Sequence, residues 1–197
     1  MRRLVVLNGS PDPGSSVSLL AASVCEGAHE AGAATDVFRC IELNVRPCIA
    51  CGPDATKDYC IYHDDDMDRV YAALEAAHAI VVASPVYFDG VSAPLKAVID
   101  RCNCITPLVT LPDGRLECVP RWARTRRGAF LTACSANHTH EHAEHTVRGF
   151  LKWVGAKWQE TIVWRHADDE RGSVGAGLLL GARDLGRRLV GEPPLEI

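Results

Sequence analysis

This chain of 197 residues has no excess of basic charge: Lys and Arg number 21 against 25 Asp and Glu, a net charge of −4. It therefore lacks the electrostatic footprint of a nucleic-acid binder, and no nucleic-acid partner is expected. No apolar run approaches the roughly 20 residues of a membrane helix, so no membrane partner is expected either. Met1-Arg2-Arg3-Leu4 leads into a strand-like segment with no small-residue cleavage site. No secretory leader is expected, and the expected location is cytoplasmic. There is no internal repeat and no low-complexity segment. Lysine and arginine are also absent from Asn8 to Ser18, the loop behind the first apolar run. That loop has no Gly-Lys-Ser/Thr ending, so it is not a triphosphate loop. It has no Gly-x-Gly-x-x-Gly, so a dinucleotide pyrophosphate fits it poorly.

The loop is instead rich in hydroxyls. Leu4-Val5-Val6-Leu7 is followed by Asn8-Gly9-Ser10-Pro11-Asp12-Pro13-Gly14-Ser15-Ser16-Val17-Ser18, then by a helix-like stretch from Leu19 to Ala31. A strand, a Gly/Ser turn and a helix start make an anion site, because unpaired N–H groups and the helix dipole point at the turn. The serines add hydroxyl donors. A small phosphate monoester, such as that of FMN, suits this set. An N-capped turn that binds nothing is the other reading.

With 47% apolar residues the chain can bury a proper core. A single domain over residues 1–197 is expected. Leu4–Leu7, Ala79–Ala83, Ala129–Ala133 and Glu160–Trp164 read as buried parallel strands, with Thr35–Cys40 as a fifth. Helical spacing marks Met67–His78, Val91–Cys102, His142–Gly155 and Val174–Val190. This alternation predicts an α/β three-layer sandwich: a five-stranded parallel sheet, helices on both faces, in the flavodoxin-like order 2-1-3-4-5. Two connections are long, residues 41–66 and 102–127. Loops of this length usually carry function, and Pro112-Asp113-Gly114 marks a turn within the second.

After the third strand comes Ser84-Pro85-Val86-Tyr87-Phe88-Asp89-Gly90-Val91-Ser92. Its place at the carboxyl end of a strand beside the first loop is where a doubly wound sheet binds ligands. Gly9-Ser10-Pro11 with the later Ser-x-Ser is one of four linked motifs. The others are Asp65-Asp66-Met67-Asp68, the Ser84–Phe88 stretch, and Ser92-Ala93-Pro94-Leu95-Lys96-Ala97-Val98-Ile99-Asp100-Arg101. Together they resemble the NADPH-dependent FMN reductase family, and within it the iron–sulfur flavoproteins. The likeness runs from residue 4 to about 104 and is traceable through the fourth strand to Gly155.

The resemblance implies that Ser10, Ser16, Val17 and Ser18 hold the FMN phosphate. It implies that Pro85, Val86, Tyr87 and Phe88 contact the isoalloxazine and ribityl chain, and that Ser135, Ala136 and Asn137 border the ring. Family members often carry basic residues after Gly-Ser-Pro, whereas this chain has Asp12-Pro13; that acid opposes a phosphate dianion. Val17 replaces a frequent polar residue, leaving its amide as the donor.

Nine cysteines, an odd number, in a chain without a secretion signal favour thiol, metal or redox use over a disulfide framework. The iron–sulfur flavoproteins space four cysteines as Cys-x2-Cys-x2-Cys-x5-Cys. Here Cys48, Cys51 and Cys60 match, and Asp54 stands at the third position. Three readings remain open: an iron–sulfur cluster with Asp54 as an oxygen ligand, a zinc site completed by His63, or no metal. Cys102 and Cys104, read as two apart on a strand, would share a face and could add a ligand. Cys25, Cys40, Cys118 and Cys134 are expected in or near the core.

Asn137 to His145 holds four of the eight histidines. If the next helix starts early, His138 with His142, or His142 with His145, share a helix face, and a metal site there is one reading. A polar loop running into a helix start is the preferred reading. His138 or Asn137 is then expected to give a hydrogen bond or proton to the flavin or to a substrate above it.

The function implied is transfer of electrons from NADH or NADPH through FMN to a small-molecule acceptor, such as a free flavin, a quinone or an organic substrate. No side chain need be a nucleophile, and no catalytic residue is singled out. Two alternatives are an iron–sulfur flavoprotein electron carrier and a flavin-free binding or sensor protein. The resemblance also implies a homodimer or homotetramer, with the segment Cys104 to Trp122 covering a neighbour's flavin.

Overall fold

The computed structural model describes residues 1–51, 60, 64–136, 138–166 and 172–191. In chain order its elements are β1 (Arg3–Asn8), α1 (Ser16–Glu30), β2 (Ala34–Arg39), α2 (Met67–Ala76), β3 (Ala79–Pro85) and α3 (Ala93–Arg101). Then come β4 (Leu108–Thr110), β5 (Leu116–Cys118), β6 (Arg126–Ala133), α4 (Glu141–Trp153), β7 (Ala156–Trp164) and α5 (Ala176–Gly191). Five strands form one parallel sheet in the order β2-β1-β3-β6-β7. This is the flavodoxin-like order expected from the pattern of strands and helices.

Alternation along the strands builds the three layers. Val5, Leu7, Ile80, Val82 and Phe130 are fully buried in one core with residues of α2, α3 and α4, such as Leu74, Leu95 and Leu151. Leu4, Val6, Val81, Ala129 and Leu131 lie in a second core with Leu20 and Val24 of α1 and Leu185 and Leu189 of α5. Because both faces are covered, the central strands read as unbroken apolar runs. α1 and α5 touch backbone to backbone. A Cβ on Gly27 would lie 1.8 Å from the Arg183 carbonyl oxygen, and one on Gly186 2.0 Å from that of Val24.

The boundaries differ from the sequence expectation for local reasons. α1 begins at Ser16, three residues before Leu19, because Ser15 is the N-cap and its hydroxyl accepts from the Ser18 amide at 3.2 Å. α2 ends at Ala76 because Ala77 turns extended and the His78 amide donates to Arg3 O, opening the next strand. β2 ends at Arg39, and Cys40 starts a short 3-10 turn to Glu42.

Residues 102–127 are less irregular than expected. A 3-10 turn spans Cys102–Ile105, and β4 and β5 pair as an antiparallel hairpin around Gly114, whose φ is +82°. Two three-residue strands are too short for a periodicity to show. Cys102 and Cys104 therefore do not lie on a strand. Cys102 is buried, and Cys104 donates from Sγ to Arg101 O at 3.3 Å and Tyr71 Oη at 3.6 Å. Cys40 and Cys134 are buried and Cys25 is half-buried, whereas Cys118 is exposed on the hairpin, contrary to expectation. Burial pushes the Cys25 thiol up to about 11 and the Cys40 thiol up to about 12, which keeps both protonated. Among the described residues, no helix is long and apolar enough to cross a membrane.

Candidate functional site

The carboxyl ends of β1, β3 and β6 open onto one pocket of about 500 Å3. The turn from β1 to α1 forms its first wall. Ser10, only 2% exposed, donates its amide to Asn8 Oδ1, and its hydroxyl lies 2.6 Å from that of Ser15. Ser18 Oγ donates to Asp12 O at 2.9 Å, and Ser16 Oγ donates to Ser173 O at 2.9 Å. These hydroxyls brace the loop. The Ser16 and Val17 amides, at the first two positions of α1, have no intrahelical acceptor. They and the helix dipole suit a phosphate oxygen. The Val17 side chain is buried, so its amide is its polar contribution.

Neighbouring elements are bonded to this loop on both sides. Gly9 N donates to Ala83 O of β3, and Ser92, just before α3, donates its hydroxyl to Gly9 O at 2.6 Å. A Cβ on Gly9 would lie 2.6 Å from that same Ser92 oxygen. From the far side Gly172, at φ +76°, lies so close that a Cβ would meet Gly14 O at 2.7 Å. Gly172→Ala should therefore displace the loop. If about 1–2 kcal/mol of left-handed strain is relieved by moving the loop, FMN affinity should fall about 5- to 30-fold, as read by flavin fluorescence quenching. Unchanged affinity would sever this contact from binding.

The second wall follows β3. Pro85, Val86 and Tyr87 line the pocket. Tyr87 and Gly90 exchange backbone bonds of 2.9 Å, closing a two-residue turn at Phe88 and Asp89. Their φ values of 49° and 62° are those of a turn that usually takes Gly or Asn, so the backbone is strained beside the pocket. Phe88 is fully exposed and not on the pocket wall. The third wall, at the end of β6, is Ala133, Cys134 and Ser135.

The structure thus brings Ser10, Ser16, Val17, Pro85, Val86, Tyr87 and Ser135 to one pocket, while Ser18, Phe88 and Ala136 stay off its wall. Asn137 lies outside the described residues. Ser15, read from the sequence as one of the loop's hydroxyl donors, also lines the pocket. Sequence reading missed Cys134 and Gly172 as pocket residues; Gly172 has no motif around it. Asp12 lines the pocket, and its Oδ1 accepts from the Gly14 amide at 2.8 Å. Asp12→Asn keeps that acceptor and removes the charge. It should tighten FMN about two- to fivefold, the size of an exposed charge effect; weaker binding on titration would contradict this.

The cysteine loop lies elsewhere. Cys48 and Cys51 are exposed, and Cys60 packs half-buried against the core. Cys48 Sγ accepts from the Ala50 amide at 3.4 Å. Cys48 and Ala50 rim a separate cavity of about 560 Å3 with Ile99, Phe150 and Trp153. Asp54 and His63 lie outside the described residues. Among those described, no three His, Cys, Asp or Glu side chains gather into a metal-binding group. As placed, Cys48, Cys51 and Cys60 do not come together as a cluster's ligand set.

The histidines divide. α4 starts at Glu141, so His138 and His142 share no helix face, while His142 and His145 are exposed three apart on α4. His140 caps α4 and approaches Glu144 at 3.5 Å. His138 Nδ1 is hydrogen-bonded to Ser135 Oγ.

A doubly wound sheet with a helix-start anion site and an adjoining pocket at its carboxyl edge defines an α/β protein built to hold a phosphate-bearing ligand. The chain belongs to the NADPH-dependent FMN reductase family, whose profile matches residues 2–167. It is 38% identical over 99 residues to an iron–sulfur flavoprotein of Methanosarcina thermophila, covering 50% of this chain and 51% of that one. The chain spans about half the length of the curated relatives it matches. An azoreductase from Bacillus anthracis str. Sterne has the same fold at TM-score 0.70 and 16% identity, over 95% of this chain and 100% of that one. An NAD(P)H:quinone oxidoreductase from Methanothermobacter marburgensis aligns at TM-score 0.64 and 19% identity, over 98% of each chain.

Proposed function

We propose that this protein is an FMN-dependent oxidoreductase that takes electrons from NADH or NADPH and passes them to a small-molecule acceptor such as a free flavin, a quinone or another organic substrate. The observation that carries this reading is the pair of amides, Ser16 and Val17, at the start of α1, which have no acceptor among the described residues and stand beside the pocket at the carboxyl edge of the sheet. The residues present fit FMN. The amides would hold its phosphate in the loop that the Ser10 and Ser15 hydroxyls brace, and Pro85, Val86 and Tyr87 would border its ring with Ser135 opposite. When bound, FMN supplies the two-electron exchange with the nicotinamide and the acceptor. The chain's own residues bind and orient. The buried Ser10 and Ser92 fix the loop, and the apolar walls from Pro85 and Val86 exclude water from one side. No side chain serves as a nucleophile.

The test is anaerobic mixing of FMN-loaded protein with NADPH or NADH. Bleaching of the flavin absorbance by either donor is expected; persistence of colour with both overturns the assignment. The same reading makes the protein a homodimer or homotetramer. The exposed Leu108 and Leu116 of the hairpin favour a covered surface there. Sedimentation of FMN-loaded protein as a monomer contradicts the oligomer.

A further inference from the structure

We propose that Ser135 and His138 form a proton relay into the pocket, serving the acceptor that is reduced there. The inference rests on the oxidoreductase reading above. Ser135 follows β6 and lines the pocket. Behind it, His138 Nδ1 is hydrogen-bonded to the Ser135 hydroxyl. Two bonds fix the turn that makes this pair: the His138 amide donates to Ser135 O at 3.2 Å, and Cys134 Sγ donates to His138 O at 3.7 Å. Ser135 is half-buried and His138 is exposed to water. The pair therefore runs from the pocket wall to bulk solvent in two groups.

The chemistry needs such a path. Hydride from a reduced nicotinamide carries two electrons and one proton. An acceptor reduced to its dihydro form, such as a quinone becoming a hydroquinone, takes two electrons and two protons. The second proton must come from water. Ser135 O–H donates it to the acceptor's developing anion as the His138 imidazolium passes its Nδ1 proton to Ser135 Oγ, and bulk water reprotonates the imidazole. Histidine suits this, being the side chain that exchanges protons between about pH 5 and 8. The other pocket hydroxyls are less suited. Ser10, Ser16 and Ser15 are engaged within and around the phosphate loop, and among the described residues Tyr87 has no base bonded to its hydroxyl. Ser135 is the donor; His138 is a positioning and relaying residue that acts through it.

The test compares two acceptors at saturating FMN. p-Benzoquinone takes two electrons and two protons, and ferricyanide takes one electron and none. Ser135→Ala and His138→Asn should each lower the ratio of quinone to ferricyanide turnover by about tenfold or more, at or below the lower end of general-acid effects. Asn places an amide near the Nδ1 position but cannot exchange the proton. A ratio equal to wild type, or both turnovers falling in parallel, overturns the relay. A second readout needs no turnover: in FMN-free protein, Ser135→Ala should shift the ring nitrogen resonances of His138 and leave those of His29 and His78 in place. Unshifted His138 resonances also overturn the relay. FMN titration of wild-type protein reports separately on the parent reading; no binding overturns that reading, and the relay with it.

Discussion

Arg101→Leu should lower the unfolding free energy by about 3–5 kcal/mol, the usual effect of stranding one partner of a buried ion pair. The Arg101 and Asp65 side chains are 1% and 0% exposed and meet at 2.5 Å. Arg101 also donates to Arg46 O at 3.0 Å, while Asp65 accepts from the amides of Arg46 and Met67. The pair thus ties the end of α3 to the start of α2 and to the strand-side end of the 41–66 connection. Urea titration measures the loss. The double variant with both residues changed to Leu should recover most of it, because no buried charge is left alone. A double variant as unstable as the single one contradicts this. A pH dependence follows. Burial alone would raise the Asp65 carboxyl, but the Arg101 guanidinium and the two amides outweigh it and hold the group below the ordinary carboxylate range. A carboxyl depressed in the folded state contributes stability above its unfolded value of about 4, and that contribution is lost as pH falls through the folded value. Acidification below about pH 4 should therefore destabilise the wild type more steeply than Arg101→Leu.

Ser16→Pro should weaken FMN binding about 10- to 100-fold relative to Ser16→Ala, the worth of one hydrogen bond to a charged group, about 1.5–3 kcal/mol. Ser16 is the first residue of α1, where proline is well tolerated because the amide has no helical acceptor. Ser15, at φ −71° and ψ 158°, already has the extended conformation that precedes proline. The substitution deletes one N–H of the proposed phosphate site and is compatible with the helix. Ser16→Ala serves as the reference because both variants lose the hydroxyl bond to Ser173. Fluorescence quenching gives both affinities. Equal values would mean that the amide holds no phosphate.

The fold and the β1–α1 turn were legible because each rests on local pattern. β1, β3 and β6 are apolar runs sealed on both faces, and the loop between Asn8 and Ser18 carries its capping chemistry in its own residues. What escaped depends on contacts between distant segments. Gly172 touches Gly14 across 158 positions, and nothing near Gly172 announces it. Phe88 was expected at the flavin, but the left-handed turn of Phe88 and Asp89 sends its ring into solvent; residue type showed the aromatic and not the turn. The hairpin of β4 and β5 was hidden by strands of three residues. The histidine segment was legible as a cluster, but the hydrogen-bonded pair, Ser135 with His138, appears only once the turn after β6 is formed.

Holding the FMN phosphate is the role proposed for the β1–α1 loop. Calorimetric titration of the flavin-free protein with FMN, and separately with riboflavin, tests it most directly, since the two ligands differ only by that group. One FMN bound per chain, at least about tenfold more tightly than riboflavin, is the predicted result. Equal affinity for the two, or no binding of either, would contradict the assignment of the β1–α1 loop as the phosphate site.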